Sequence, residues 1–285
     1  MDTPQLIATC WTTSGPARPG DPSEVSPHSA FARIDAVARG GWAGLGLAHE
    51  DLDVVRRTTG LRAVADHARA AGLEHVEVEL VTDWWCEDGA WRDRWSMLLE
   101  AAEVFGSPVV KAGTAFGPAW TDLEPLVEPL RRLGSEAADH GTRVALEPLP
   151  FAAVSSLPAG ADLVRRVDHP AVGLAVDHWH VVRAGTGLDE LARALTPEQV
   201  FQVELDDADA APVGTLFEDT RDRRRYCGEG AQDVPGFLRV LHDLGYRGPW
   251  GVEILSEEHR AVDLDTGLRR ARETALACFE AAFGA

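Results

Sequence analysis

Short apolar segments alternate with longer amphipathic segments along this chain of 285 residues, and no other feature restricts the possible folds as strongly. A strand-length apolar run followed by a helix-length periodic pattern is typical of a βα unit, and repeated βα units build a parallel sheet. We predict eight strands, at residues 6–11, 44–48, 75–80, 109–112, 143–147, 172–177, 200–205 and 250–255.

Eight amphipathic segments follow these strands, and their periodic Ala, Leu and Val residues predict helices. The predicted helices cover residues 29–39, 61–71, 90–105, 123–140, 159–167, 188–194, 234–244 and 264–283. Eight βα units predict an α/β fold, a single (β/α)₈ TIM barrel that forms one domain over residues 1–285. The alternative is an open doubly wound sheet. It is disfavoured because the first βα turn, Trp11-Thr-Thr-Ser-Gly-Pro, has no GxGxxG phosphate cradle.

The charge balance excludes several classes of partner. The 46 acidic and 27 basic residues give a net charge of -19, which repels nucleic acid phosphates and anionic membranes, so we expect neither as a partner.

Cysteine usage and the N-terminus indicate the compartment. Cys10, Cys86, Cys227 and Cys278 form no CxxC pair, which indicates a reducing compartment without a zinc ribbon or a redox motif. The N-terminus lacks a signal-peptide pattern and no apolar run has the length of a membrane span, so we expect a cytoplasmic, unprocessed protein.

Four acidic residues stand late in apolar strands, at Glu147, Asp177, Glu204 and Glu253. The strand C-termini of a barrel meet on one face, so we expect these side chains to converge. For any single acid, pairing with an arginine or capping of a helix is the simpler explanation. For the set of four, mutual repulsion favours a divalent metal ion. Oxygen ligands favour Mn²⁺ or Mg²⁺, with Co²⁺ or Zn²⁺ as further candidates.

The later motifs resemble a known superfamily. Leu146-Glu147-Pro148, Val176-Asp177-His-Trp-His180, Gly228-Glu-Gly230 and the run from Gly245 to Glu253 are similar to signatures of the xylose isomerase-like, AP-endonuclease-like superfamily. Within it the chain looks like the group of ketose 3-epimerases and inosose isomerases or dehydratases. The resemblance covers nearly the whole chain and implies a TIM barrel that acts on a sugar or polyol with the help of one divalent metal ion.

Residue by residue, the resemblance implies that Glu147, Asp177 and Glu253 bind the metal and that His180 binds the substrate. The seventh strand departs from the usual His-x-His, because it carries Gln202-Val-Glu204. Alternation places both side chains on one face, with Glu204 at the ligand position and Gln202 one layer deeper, and either residue remains a candidate ligand.

The resemblance also implies a reaction. A metal-bound carbonyl acidifies the neighbouring C–H of a sugar, keto-sugar or inosose, and Glu147 and Glu253 act as base and acid in an isomerase or epimerase. The alternative is a lyase, either an inosose-type dehydratase or a C-glycoside-cleaving enzyme acting on 3-keto-sugars, in which His180 protonates the leaving group. A DNA-repair endonuclease and a non-catalytic sugar-binding barrel rank lower.

Further candidates for substrate binding are Trp11, His49, Trp84, Trp179, Lys111 and Arg225. Indole rings stack on sugars, but barrel mouths also bury Trp for packing. Lys111, the only lysine, either orients a substrate oxygen or forms a buried ion pair with Glu79 or Glu147. The arginines around Arg225 have acidic neighbours, which ranks an uncharged sugar above a sugar phosphate. The long segment 206–233 is a candidate lid. The helical shell could support a homo-oligomer, although no stretch specifies one.

Overall fold

A computed structural model describes residues 3–284, and it confirms the (β/α)₈ barrel. Eight parallel strands close on themselves in the order β1-β10-β7-β6-β5-β4-β3-β2. These strands are β1 Leu6–Ala8, β2 Gly44–Ala48, β3 His75–Val81, β4 Val110–Ala112, β5 Val144–Leu146, β6 Val172–Asp177, β7 Val200–Leu205 and β10 Trp250–Val252. Two further strands, β8 Asp207–Ala208 and β9 Arg224–Arg225, pair antiparallel in the long segment after β7.

All eight predicted helices are present, with bounds within two residues of the prediction: α2 Ala30–Arg39, α4 Leu61–Ala70, α5 Trp91–Phe105, α6 Glu124–Asp139, α7 Leu157–Val167, α9 Leu188–Ala194, α11 Val234–Leu244 and α13 Leu264–Phe283. Five shorter helices were not predicted: α1 Cys10–Thr13, α3 His49–Arg57, α8 His178–Arg183, α10 Leu216–Asp222 and α12 Glu257–Arg260. A single 3₁₀ turn covers Pro197–Gln199. Within residues 3–284, no helix combines the length and the apolar composition needed to cross a membrane.

Several strands are shorter than predicted. The first strand ends at Ala8 and not at Trp11, because α1 begins at Cys10. The ends of β5 and β10 also move, so that Glu147 and Glu253 are the first residues after their strands. Their backbone N–H groups still donate to the adjacent strand, from Glu147 to Ala112 and from Glu253 to Leu205, at 2.9 Å each. The two acids therefore remain fixed to the barrel.

Two glycines of the barrel strands stand where neighbouring backbone and acidic side chains approach closely, since a Cβ atom would lie 2.5 Å from Cys10 N at Gly46 and 2.9 Å from Val203 O at Gly251. A Cβ atom on Gly46 would lie 3.1 Å from Glu79 Oε1, and one on Gly251 would lie 3.1 Å from Glu204 Cγ. Either methyl group would crowd an acidic side chain inside the barrel. Outside the strands, Val and Leu side chains pack against the helices in one large apolar core. The charged interior and the apolar core are thus separated by the sheet itself.

Candidate active site

A cavity of about 380 Å³ opens at the C-terminal end of the barrel strands, a size typical of small-molecule sites. Its charged lining residues include Glu79, Lys111, Glu147, Arg224 and Glu253, together with His180. All six are buried. Asp177 and Glu204, which are fully buried, do not contribute to the cavity lining.

The fold brings the four predicted acids together on neighbouring strands. Asp177 is the last residue of β6 and pairs in register with Glu204 of β7, which in turn pairs with Gly251 of β10. Carboxylate oxygens of Asp177, Glu204 and Glu253 lie within 4.8 Å of one another. The same limit holds for ligand atoms of Glu147, Asp177 and His180. This is the convergence that the strand positions predicted.

Lys111 lies among the acids and contacts several of them at once. Its Nζ atom is 2.6 Å from Glu204 Oε1 and 2.8 Å from Glu79 Oε2. Glu147 and Glu253 are farther away, at 3.6 and 3.9 Å from Nζ. The ion-pair interpretation of Lys111 is therefore confirmed, with Glu204 as its nearest partner, and the same side chain also lines the cavity.

Arg224 is a second internal cation, and the sequence did not indicate it. Its Nη1 atom donates to Asp177 Oδ2 at 2.7 Å and lies 3.2 Å from Glu253 Oε2. It also donates to Asp206. The neighbouring Arg225, predicted to bind substrate, is partly exposed, pairs with Asp209 at 3.2 Å and does not line the cavity. The two-residue strand β9 decides which arginine points inward, and so short a strand leaves no sequence signal.

The buried charges around Lys111 and Arg224 do not balance, because seven buried carboxylates accompany these two cations. The carboxylates are Glu77, Glu79, Glu147, Asp177, Glu204, Asp206 and Glu253. Burial raises the pKa of Glu147, Glu204 and Asp206, and neighbouring carboxylates raise it further. Burial likewise raises the pKa of Glu253 to about 7 and that of Glu77 to about 8. A site with this excess of acid holds protons or attracts a cation.

Asp177 differs from the other acids. Burial alone would raise its pKa, but the Arg224 guanidinium, the His180 ring and the hydrogen bonds from Arg224 and the His180 N–H together outweigh burial and hold the pKa well below its usual range. Asp177 also caps α8, since its Oδ1 accepts a hydrogen bond from the His180 N–H at 2.8 Å. Asp177 is therefore ionised and fixed in place.

Several buried polar atoms in this region have no hydrogen-bond partner, among them Glu204 Oε2, Asp206 Oδ1 and His180 Nδ1. Buried polar atoms in native proteins are normally paired with protein, water or an ion. Oxygen atoms without partners, on converging strands with excess negative charge, form a donor set that suits a divalent cation. The residues present therefore fit a metal ion.

The remaining predicted residues divide into two groups. Trp11 and His49 line the cavity, as does His180. Burial lowers the pKa of His180 to about 3 and that of His49 to about 4, so both rings are neutral at pH 7. Trp84 and Trp179 do not line the cavity. Each is fully buried and donates its indole N–H inside the protein, to Gly113 O at 2.6 Å and to Asp219 Oδ2 at 3.1 Å.

Three phenylalanines line the outer part of the cavity instead, and we call them the aromatic mouth: Phe116, Phe151 and Phe217. Their ring centroids lie 5.8 to 6.3 Å apart. Phe217 belongs to α10, inside the segment predicted to be a lid. Phe116 is 61% exposed. The mouth gives the cavity an apolar entrance. Below it lies a charged region that we call the floor, formed by Glu147, Asp177, Glu204 and Glu253 with the cations Lys111 and Arg224.

Comparison with known proteins gives concordant results. A family model described as "xylose isomerase-like TIM barrel" matches residues 34–275. A 3-dehydroshikimate dehydratase from Pseudomonas putida is 29% identical over 238 residues, which are 80% of this chain and 36% of that protein. An inosose isomerase from Bacillus licheniformis is 29% identical over 150 residues, 52% of each chain. The chain thus spans about a third and about half of these two relatives.

A solved structure of the IOLI protein with a bound zinc atom superimposes with a TM-score of 0.79. The two chains are 18% identical, and the superposition covers 99% of this chain and 100% of the other. This likeness establishes the shared fold.

Proposed function

The chain belongs to the xylose isomerase-like TIM-barrel family, and on that premise we propose that it is a divalent-metal-dependent enzyme that removes the proton next to a carbonyl group. The substrate is a sugar, keto-sugar or inosose, and the product is its isomer or epimer. One observation carries this proposal. Glu147 and Glu253 both line the cavity and are buried, and burial raises the pKa of both carboxyls, that of Glu253 to about 7, as suits groups that exchange protons with a substrate.

The residues that would hold the metal are Glu147, Asp177, Glu204 and Glu253. The unpartnered Glu204 Oε2 and the excess of buried carboxylates support this assignment. When bound, the ion would polarise the substrate carbonyl and acidify the adjacent C–H bond. Oxygen donors favour Mn²⁺ or Mg²⁺. Zn²⁺ and Co²⁺ are the alternatives, and the zinc bound to the IOLI protein shows that a barrel of this shape holds such an ion.

The chain supplies the rest of the chemistry. Glu147 and Glu253 serve as base and acid, and Lys111 Nζ, at 3.6 and 3.9 Å from them, stabilises whichever is ionised. The neutral His180 ring lines the cavity, and its Nδ1, which has no hydrogen-bond partner in the part of the chain that the structure describes, is the group that would donate a hydrogen bond to a substrate oxygen. Arg224 also lines the cavity and holds Asp177 in place. The aromatic mouth excludes water from the charged floor, which strengthens these interactions.

A lyase reaction is the second candidate, and the match to 3-dehydroshikimate dehydratase over 80% of the chain favours it. It begins with the same proton abstraction, after which a β-hydroxyl leaves and a double bond forms. The leaving hydroxyl needs a proton donor. Glu253, with its pKa raised by burial to about 7, is a better donor than His180, which is neutral because burial lowers its pKa to about 3.

The test combines metal analysis with isotope exchange. Protein purified without chelators should contain about one divalent ion per chain, and it should exchange deuterium from solvent into a keto-sugar or inosose. Glu147→Gln should reduce exchange by at least about a hundredfold, the usual contribution of one acid–base group. Glu128→Gln, which changes an exposed glutamate of α6, is the matched control and should behave as wild type.

Exchange without net elimination identifies the isomerase or epimerase, whereas a new enone absorbance identifies the lyase. Absence of both a bound ion and exchange would refute the proposed function in either form.

A further inference from the structure

The active-site cavity contains one cation without an acidic partner. Three cationic side chains line it, Arg94, Lys111 and Arg224. Lys111 and Arg224 are engaged by buried carboxylates. Arg94 has no carboxylate within 4.0 Å among residues 3–284, and its guanidinium makes a single hydrogen bond, from Nη1 to Thr82 Oγ1 at 3.3 Å.

This isolation is notable because acid is abundant. The chain has 46 acidic against 27 basic residues, and Arg92, two positions away on the same helix, pairs with Glu136 at 3.0 Å. A partly buried arginine with five donors and one long hydrogen bond has most of its binding capacity unused. That unused capacity faces the cavity in which the reaction is proposed to take place.

The position of Arg94 in its helix adds a second argument. It lies in the first turn of α5, where the helix dipole is positive and a cation is electrostatically unfavourable. The active-site ends of the barrel helices are their N-termini, because each helix returns antiparallel to the strand before it. Arg94 is also the one residue of α5 that lines the cavity. An anionic ligand beside it would offset its charge at this position of the helix.

Two acids that share the cavity with Arg94 form no ion pair with it. Glu24 and Glu50 also line the cavity, but their carboxylates accept backbone hydrogen bonds, from the Gly20 N–H at 2.7 Å and from the Glu24 N–H at 2.8 Å. These bonds hold them in the loop after β1 and at the start of α3. Their charge argues against a dianion such as a phosphate, which would need more than one free cation.

We propose that Arg94 binds a carboxylate group of the substrate, and that the substrate is therefore a carboxylated polyhydroxy ketone. The planar guanidinium fork matches the two oxygens of a carboxylate. Arg94 and the acid–base pair Glu147 and Glu253 line one cavity of about 380 Å³, so a single small molecule can reach both. The substrate class rests on the proposed function, but the anion site is testable without it.

Binding measurements on the whole protein, purified without chelators, test this inference. The probes are matched pairs that differ in one group: shikimate against its methyl ester, and D-glucuronate against D-glucose, with D-glucose 6-phosphate as the dianion. Wild type should bind at least one acid about tenfold or more tightly than its neutral partner, and more tightly than the phosphate. Arg94→Gln should weaken binding of that acid by about 10- to 100-fold, the range for a charge-assisted hydrogen bond. Binding of the neutral partner should change by less than about twofold.

Two further variants serve as controls. Arg92→Gln removes the neighbouring arginine that points away from the cavity and should bind as wild type. Arg94→Lys keeps the charge but loses the fork, and should give an intermediate affinity. The inference is overturned if no acid binds better than its neutral partner, if Arg94→Gln binds the acid as wild type does, or if the phosphate binds best.

The test of the anion site and the test of the proposed function can succeed or fail independently. Acid preference lost on Arg94→Gln, in a protein that shows no deuterium exchange, would retain the anion site and reject the chemistry. Deuterium exchange that is lost in Glu147→Gln, together with acid binding that is unchanged in Arg94→Gln, would retain the chemistry and reject the anion site.

Discussion

The floor and the aromatic mouth of the cavity are built on different principles. The acids of the floor stand in, or one residue after, barrel strands, and their backbones are hydrogen-bonded to neighbouring strands. The phenylalanines of the mouth stand in connecting segments and in the short helix α10, and they contact one another through ring edges. The floor is therefore held by the backbone of the barrel, whereas the mouth is held by side-chain contacts between connecting segments and a short helix.

If this division is correct, the largest effect on stability should come from the floor. Arg224→Met would leave Asp177, Asp206 and Glu253 with less compensation, and removing one partner of a buried ion pair costs about 3 to 5 kcal/mol. Urea unfolding of the metal-free protein measures this change. Arg225→Met is the matched control one residue away, since its ion pair is partly exposed and contributes less than about 1 kcal/mol. Equal effects of the two variants would contradict the buried role of Arg224.

A smaller effect, on metal affinity, is expected from replacing an acid of the floor that is a candidate metal ligand. Glu204→Gln keeps the shape of the side chain and removes one charge, so the protein should fold but bind Mn²⁺ at least about tenfold more weakly. Loss of a mere supporting group already costs 10- to 100-fold in metal affinity, and loss of a direct ligand should cost no less. Titration calorimetry with Mn²⁺ measures it. Unchanged affinity would indicate that Gln202, and not Glu204, is the ligand from β7.

The smallest effect should come from the mouth. Phe217→Ala removes ring contacts with Phe116 and Phe151, and aromatic pairs of this kind contribute about 0.5 to 1.5 kcal/mol each. We expect KM to rise about fivefold with kcat within about twofold, measured on whichever substrate shows turnover. Phe31→Ala removes a ring that packs on His67, outside the cavity, and should leave both constants unchanged. A large fall in kcat for Phe217→Ala would place the mouth within the catalytic machinery.

The same division explains what could be predicted from the sequence. Barrel strands have a strong periodic signal, and the rule that strand C-termini converge was enough to bring Glu147, Asp177, Glu204 and Glu253 together. The prediction for Trp179 failed because the direction of a side chain just after a strand depends on short helices such as α8, and that for Trp84 failed because its direction depends on the turn after β3. Those helices begin directly after a strand, without the loop residues that usually announce a helix.

Cations were the other weak point of the prediction. Lys111 stands in a strand, and its ion pairs could be anticipated from strand periodicity. Arg224 reaches the floor through a two-residue strand in a long loop, and Arg94 reaches the wall from a helix. Nothing in the local sequence separates these two from arginines on the surface. They are distinguished only by their surroundings in the folded protein, where Arg224 has buried acidic partners and Arg94, within the described residues, faces the cavity without one.

The two buried cations of the floor also bear on how the protein comes to hold its ion. In many metalloproteins the ligands repel one another until the metal arrives, so that the chain cannot fold without it. Here Lys111 and Arg224 provide positive charge from within the chain, and raised pKa values allow some of the acids to keep a proton. We therefore expect folding to precede metal uptake. The ion bound in the cell would then depend on which divalent ions are available to the folded, metal-free protein.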